Sequence, residues 1–276
     1  MAISLENLEK LEDLFIFKNW EINKDSTSFS STFNRFCNRL DLFDSEKQTL
    51  MIELGYQFLD LGYNDFQPHF SEAIKKIPGL GDYNSIIVAP LKKPSLIQTK
   101  SADALWYFLK NYSDFSYETF GSKLYFLSEW SRIKKSIANP NIILILIDDF
   151  IGTGETVVET LDELYKESYI TDAQPVKVLT LAAQAQGTTF IDSLYKDMVV
   201  FSVKLDKGLT DKYTDPELST KKQMMSEMEQ KLRVESDYEF GYGRSESLFA
   251  VGRRSANNTF PVYWLEKKKK LAPFKR

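Results

Sequence analysis

Cysteine and histidine are nearly absent: Cys37 and His69 stand alone in 276 residues. One cysteine excludes an intramolecular disulfide and a thiolate metal cluster. With His69 outside the motifs described below, a histidine-based catalytic triad is excluded as well. No apolar run approaches the roughly 20 residues of a membrane-spanning helix, and no basic stretch leads into a secretory-type apolar one. The expectation is a cytoplasmic protein with no membrane partner. Net charge is only −4, from 35 basic and 39 acidic residues, which argues against indiscriminate nucleic-acid binding by the whole surface. What the chain does have is core material: 43% hydrophobic and 14% aromatic residues exclude global disorder.

The chain is organised around residues 141–156, which read N-IILILI-DD-FIGTGET. Six consecutive, mostly β-branched aliphatics are too short to span a bilayer and predict a strand buried on both faces of a parallel sheet. The run is expected to stop at Asp148 and Asp149, with a loop holding Gly152 and Gly154 and then a helix whose Val157, Val158, Leu161, Leu164 and Tyr165 share one face. In open α/β sheets, ligands bind at such carboxyl ends of strands.

The loop's chemistry follows from its residues. Gly152 and Gly154 permit a tight turn and a close approach of backbone to ligand. Thr153 and Thr156 add hydroxyls beside the amides of Gly154, Glu155 and the helix start, a setting suited to a phosphate monoester. Asp148 and Asp149 would repel that phosphate, so they are assigned a neutral, donor-rich group such as a ribose diol. Hydrogen bonds to a carboxylate contribute roughly 1.5–3 kcal/mol each. Acid pair and amide nest together describe a ribose 5-phosphate cradle.

Other glycine-loop motifs fit worse. A Walker A loop needs a lysine that does not follow Gly154, and a dinucleotide fingerprint needs a third glycine where Val157 stands. Aspartyl phosphatases use a DxD spacing, whereas two aspartates are adjacent here. The pattern D-D-x-x-x-T-G-x-T after the aliphatics resembles the 5-phosphoribosyl-1-pyrophosphate (PRPP) loop of type I phosphoribosyltransferases. Residues 142–147, Asp148, Asp149, Thr153, Gly154 and Thr156 carry the match; Phe150 is bulkier than usual, and Gly152 replaces a commoner Ser, Thr, Ala or Asp. The resemblance implies a parallel α/β core, PRPP or a nucleotide as ligand, and a Mg2+ ion bridging pyrophosphate oxygens rather than bound directly by the chain. It also implies that Asp148 and Asp149 act at the reacting ribose.

Taken in order, residues 1–80 predict an α-helical extension, with Leu5, Leu8, Leu11, Leu14 and Phe15 at helical spacing, then Phe33, Phe36 and Leu40. A third helix carries Leu50, Leu54, Phe58 and Leu61 to Gly62, and a fourth segment ends at Pro78. Residues 81–265 predict the α/β core. Its first strand is 85–91, followed by a helix over 101–111, and further strands fall at 176–183 and 198–205. By position, the loop after the first strand corresponds to the pyrophosphate loop, with Lys92, Lys93, Lys100 and Ser101 as donors and Ser101 as a helix cap. A solvated pair is the other reading of Lys92 and Lys93. Residues 112–140 are expected to hold a mobile closing loop and then an aromatic helix over 124–137. A charged helix over 216–234 carries Met224, Met225, Met228 and Leu232 inward. Asn257 and Asn258, in a late turn, read either as base-edge contacts or as an ordinary Asx turn. Residues 266–276 form a basic tail whose Lys267–Lys270 run is either solvated or a contact to nucleic-acid phosphate.

The tail and loops together resemble a divergent bacterial phosphoribosyltransferase-like group found in conflict and phage-defence operons, some of them retron-associated. The resemblance covers residues 83–265 and implies a defence role. Three readings share the one cradle: transfer or hydrolysis at ribose C1, a catalytically inactive sensor of PRPP or nucleotide that regulates a partner, and an effector acting on cellular nucleotides. The apolar content of residues 1–80 adds the expectation of a homo-oligomer or an operon-encoded protein partner.

Overall fold

Aliphatics in an unbroken run must be covered on both faces, and in the computed structural model they are: Ile143 is 1% exposed and Leu144, Ile145, Leu146 and Ile147 are 0%. The structure describes residues 3–22, 31–96, 98–111, 123–266 and 271–276. In chain order the strands are β1 (Leu59–Leu61), β2 (Ser85–Pro90), β3 (Leu124–Phe126), β4 (Ile142–Ile151), β5 (Val176–Gln184), β6 (Val199–Leu205), β7 (Phe249–Val251) and β8 (Arg254–Ser255). Contacts divide the chain into Gly62–Leu205 and a second unit made of Met1–Leu61 with Asp206–Arg276. The expected boundaries at 80 and 265 fall inside these units.

Unit Gly62–Leu205 is built on a five-stranded sheet of order β3-β2-β4-β5-β6 in which every neighbouring pair is parallel. Parallel neighbours need crossover connections, supplied by the helices Ser101–Asn111, Trp130–Ser136, Glu155–Lys166 and Ala185–Leu194. The order reverses at β2, since the chain goes from β2 outward to β3 and then returns to place β4 on the other side of β2. This is the topological switch point at which ligands bind in such sheets. Register adds a detail that the sequence did not predict. β2 ends level with Ile147, through Pro90↔Ile147, whereas β4 runs on to Ile151 paired only with β5, through Asp148↔Thr180, Phe150↔Ala182 and Ile151↔Ala183. The acid pair therefore lies within the strand, not after it, on the flank where β2 has stopped.

The expected helix over 124–137 is in fact β3 followed by a helix at Trp130–Ser136. Leu124, Tyr125 and Phe126 favour a pleated surface, and β2 offers an edge to pair with. The edge strand β6 is fastened by the helix Phe66–Ile74. His69 Nδ1 lies 2.7 Å from Ser202 Oγ, which donates to Glu72 Oε2 at 2.7 Å. Lys76 Nζ donates to the carbonyls of Phe201 and Ser202, so two polar edge groups are covered.

The second unit gathers the helices Leu5–Phe17, Thr32–Leu40, Ser45–Tyr56 and Glu217–Leu232 around a sheet of order β1-β7-β8. Leu59–Leu61, expected to continue a helix, pairs instead with Phe249–Val251 as a parallel strand. Leu11, Leu14, Phe15, Phe36, Met225, Met228, Tyr263 and Phe274 share one buried core. Residues 271–276 belong to it. Phe274 is packed by Trp20, Phe36 and Phe58 at ring separations of 5.6, 5.8 and 4.6 Å. Buried Arg35 and Arg39 donate to the carbonyls of Ala272 (2.6 Å) and Leu265 (2.6 Å), and Arg276 stacks on Trp264 at 4.9 Å. Lys267–Lys270 lie outside the described residues, as do 112–122 of the expected closing loop.

Candidate functional site

At the carboxyl end of β4 successive side chains point to opposite faces, so adjacent aspartates begin in different surroundings. Asp148 is 9% exposed and Asp149 is half-buried. Asp148 Oδ1 accepts the Ser101 hydroxyl at 3.0 Å and the Asp149 amide at 2.9 Å. Burial pushes the Asp148 carboxyl well above its usual range, and the charge of Asp149 adds to the shift. Burial also raises Asp149, opposed by donors that include Ser101. Neighbouring carboxyls in low dielectric behave as one coupled acid.

The turn that follows is shaped by close backbone packing. Gly154 adopts φ +86°, the left-handed region, and stands at the N-cap of the helix Glu155–Lys166. A Cβ there would meet the Gly187 carbonyl oxygen at 2.7 Å, and a Cβ on Gly187 would meet the Gly152 carbonyl oxygen at 2.3 Å. The glycines thus serve a contact between the turn and the helix Ala185–Leu194, whatever they do for a ligand. Gly187 was not singled out in the sequence; a lone glycine in a helical stretch just after a buried strand was the available signal. Gly154 has no side chain with which to cap the helix Glu155–Lys166, while Thr153 is half-buried and Glu155 and Thr156 are exposed. Helix geometry leaves first-turn amides without intrahelical acceptors, so this end suits an anion.

The loop after β2 is organised by carboxylates. Asp103 Oδ2 accepts the Lys100 amide at 2.8 Å and pairs with Lys92 Nζ at 3.2 Å. Lys100 is therefore the N-cap of the helix Ser101–Asn111, its carbonyl accepting the Ala104 amide at 3.4 Å. Ser101, expected to cap, stands one position further on, and its hydroxyl is used on Asp148. Lys93 pairs with Glu159 at 2.8 Å, and the Ser95 amide donates to Glu163 at 3.0 Å. Lys100 is exposed.

The structure thus brings Asp148, Asp149 and Ser101 together by direct bonds, with residues 152–156 continuing from the same strand. Asn257 and Asn258 lie in the other unit. The Asn257 carbonyl accepts the Tyr242 amide at 2.9 Å, and Asn258 Nδ2 donates to the Tyr242 carbonyl at 3.2 Å, so both build the turn in which they sit.

A parallel sheet with this switch point, an acid pair and a glycine turn leading into a helix defines a type I phosphoribosyltransferase-like fold. Residues 57–276 match the model of the PRTase-CE family, and the chain belongs to that family. Among solved structures it is similar to an orotate phosphoribosyltransferase from Aeropyrum pernix, at 14% identity and a TM-score of 0.30 over 54% of this chain and 74% of that one. It is also similar to the AQ2163 protein from Aquifex aeolicus, at 13% identity and a TM-score of 0.30 over 67% of this chain and 86% of that one. Among the described residues, no helix is long and apolar enough to cross a membrane.

Proposed function

We propose that the chain binds PRPP or a ribose 5-phosphate nucleotide at the end of β4 and acts at ribose C1 by transfer or hydrolysis. One observation carries this reading: the acid pair and a helix start with glycine at its N-cap follow one another from a strand that outruns its neighbour at the switch point. In it, the Asp148–Asp149 pair takes the ribose hydroxyls, and its negative field favours a cation-like C1 centre. The turn from Thr153 to Thr156 holds the 5-phosphate through backbone amides and hydroxyls. A magnesium ion would come with the substrate, held by pyrophosphate oxygens and waters and not by the chain. When bound, that ion neutralises charge on the departing pyrophosphate.

A sensor that binds the same ligand without turning it over is the second reading. It is favoured by Lys92 and Lys93, which are engaged by Asp103 and Glu159 where a pyrophosphate would need them. Incubation with PRPP and separate nucleotide pools, followed by mass spectrometry, distinguishes the two. New nucleotide, or loss of a pool, supports catalysis; unchanged pools with retained binding support the sensor. A role in antiviral defence stays within this proposal, tested by whether a strain lacking the chain loses resistance to phage.

A further inference from the structure

The Ser101 hydroxyl is spared the capping task that its position suggests. Asp103, two residues further on, accepts the N-cap amide of Lys100 at 2.8 Å, the reach-back half of a capping box. Ser101, at the first helical position, is thereby able to donate to Asp148 Oδ1 at 3.0 Å across 47 residues of sequence. The Asp149 amide donates to the same Oδ1 at 2.9 Å. Two donors on one oxygen fix the plane of the Asp148 carboxyl and leave Oδ2 outside this pair of bonds.

We propose that Ser101 is a positioning residue of the acid pair and not a phosphate ligand: its hydroxyl orients Asp148 and favours the charged carboxylate that a diol requires. This rests in part on the reading above, because it assigns the pair to neutral hydroxyls. The physical argument is a competition. Burial and the second carboxyl favour a protonated pair, while Ser101 donates to the ionised form of Asp148 and also lowers Asp149. The ionisable group bearing on Asp148 from its own strand is Asp149. On the helix packed against β4, Asp103 is already paired with Lys92 and Lys100 is exposed, so neither takes the place of Ser101. Without the hydroxyl the proton is held more tightly, and a ligand must displace it at greater cost.

The test compares wild type, Ser101→Ala and Ser101→Thr as full-length chains. Carbon-13 NMR of the aspartate side-chain carboxyls, in the absence of any ligand, follows the titration of the pair. The proposal expects the midpoint to rise in Ser101→Ala and to return in Ser101→Thr, which keeps a donor. PRPP with magnesium is the second probe. At a pH near the wild-type midpoint, Ser101→Ala should bind about tenfold more weakly, a gap that closes at higher pH. An unchanged carboxyl midpoint in folded Ser101→Ala overturns the proposal, as does a loss of PRPP affinity equal at every pH, the behaviour of a plain phosphate contact. If the midpoint moves but wild type does not bind PRPP, the positioning role stands and the PRPP reading fails.

Discussion

The two units solve the same problem, covering apolar surface, by opposite means. Unit Gly62–Leu205 stacks β-branched strands into a parallel sheet and leaves its chemistry at one edge, where β4 outruns β2. The other unit is assembled from two distant pieces of chain, and rings and arginines join them: Phe274 among Trp20, Phe36 and Phe58, and Arg35 and Arg39 on carbonyls of the last segment. One unit is specified mostly by local sequence pattern, the other by contacts across more than 200 positions. Buried carboxyls appear in both; in the first, two carboxyls adjacent in sequence meet a serine donor and lead to a helix start capped by a glycine.

The largest expected effect breaks the second unit. Phe274→Ala removes a ring that is 1% exposed, and core Phe→Ala changes cost about 3–5 kcal/mol. Denaturant unfolding should show that loss; a change below about 1 kcal/mol would mean that the last segment is an appendage after all. Next, Gly187→Ala attacks the turn of the first unit, since its Cβ would stand 2.3 Å from the Gly152 carbonyl oxygen. A loss of about 2–4 kcal/mol is expected, together with lost ligand binding, because the backbone of the turn must move. Wild-type stability in that variant would show that the turn and the helix Ala185–Leu194 are not held in contact.

A smaller effect separates the two kinds of buried carboxyl. Burial pushes Glu229 up to about 8, with the Phe240 amide as its backbone donor. A carboxyl raised on folding stabilises fully below its unfolded midpoint of about 4.5, and that contribution is lost as pH rises through the folded value. Glu229→Gln should flatten the fall in stability between those limits, by a few kcal/mol at most. Asp148→Asn should flatten its own part of the curve in the same direction, since that carboxyl is also raised. Parallel pH-stability curves for either variant and wild type would contradict the assignment. Smallest of all, Lys93→Ala should cost less than about 1 kcal/mol, because the Glu159 partner is 61% exposed.

How much was legible follows the same division. β2, β4, β5 and β6 were readable because strands buried on both faces are unbroken aliphatic runs, and the helix Ser101–Asn111 has the bounds that its pattern predicted. The phosphoribosyltransferase-like fold followed from the motif on β4. β1 was not readable: Leu59–Leu61 is too short to show alternation, and its partner strand is Phe249–Val251. Nor was the last segment, where 271–276 look like a solvated basic tail until Phe274 finds its three rings. At the site, the residues were legible but their bonds were not. Spacing marks Ser101 as a helix start, and only the fold shows that Asp103 takes part of the cap while the serine turns to Asp148. The lysines fared likewise, since Glu159 and Asp103 lie 66 and 11 residues from their partners.

The most direct test of the account is calorimetric titration of PRPP with magnesium into wild type and into the double variant Asp148→Asn, Asp149→Asn. Both proteins should fold, because burial already disfavours the charged carboxylates that the variant lacks. Wild type should release or take up heat with saturation at or below millimolar ligand, and the double variant should show none. No heat from wild type at millimolar PRPP, or equal binding by a folded double variant, would contradict the assignment of the β4 edge as a ribose 5-phosphate site.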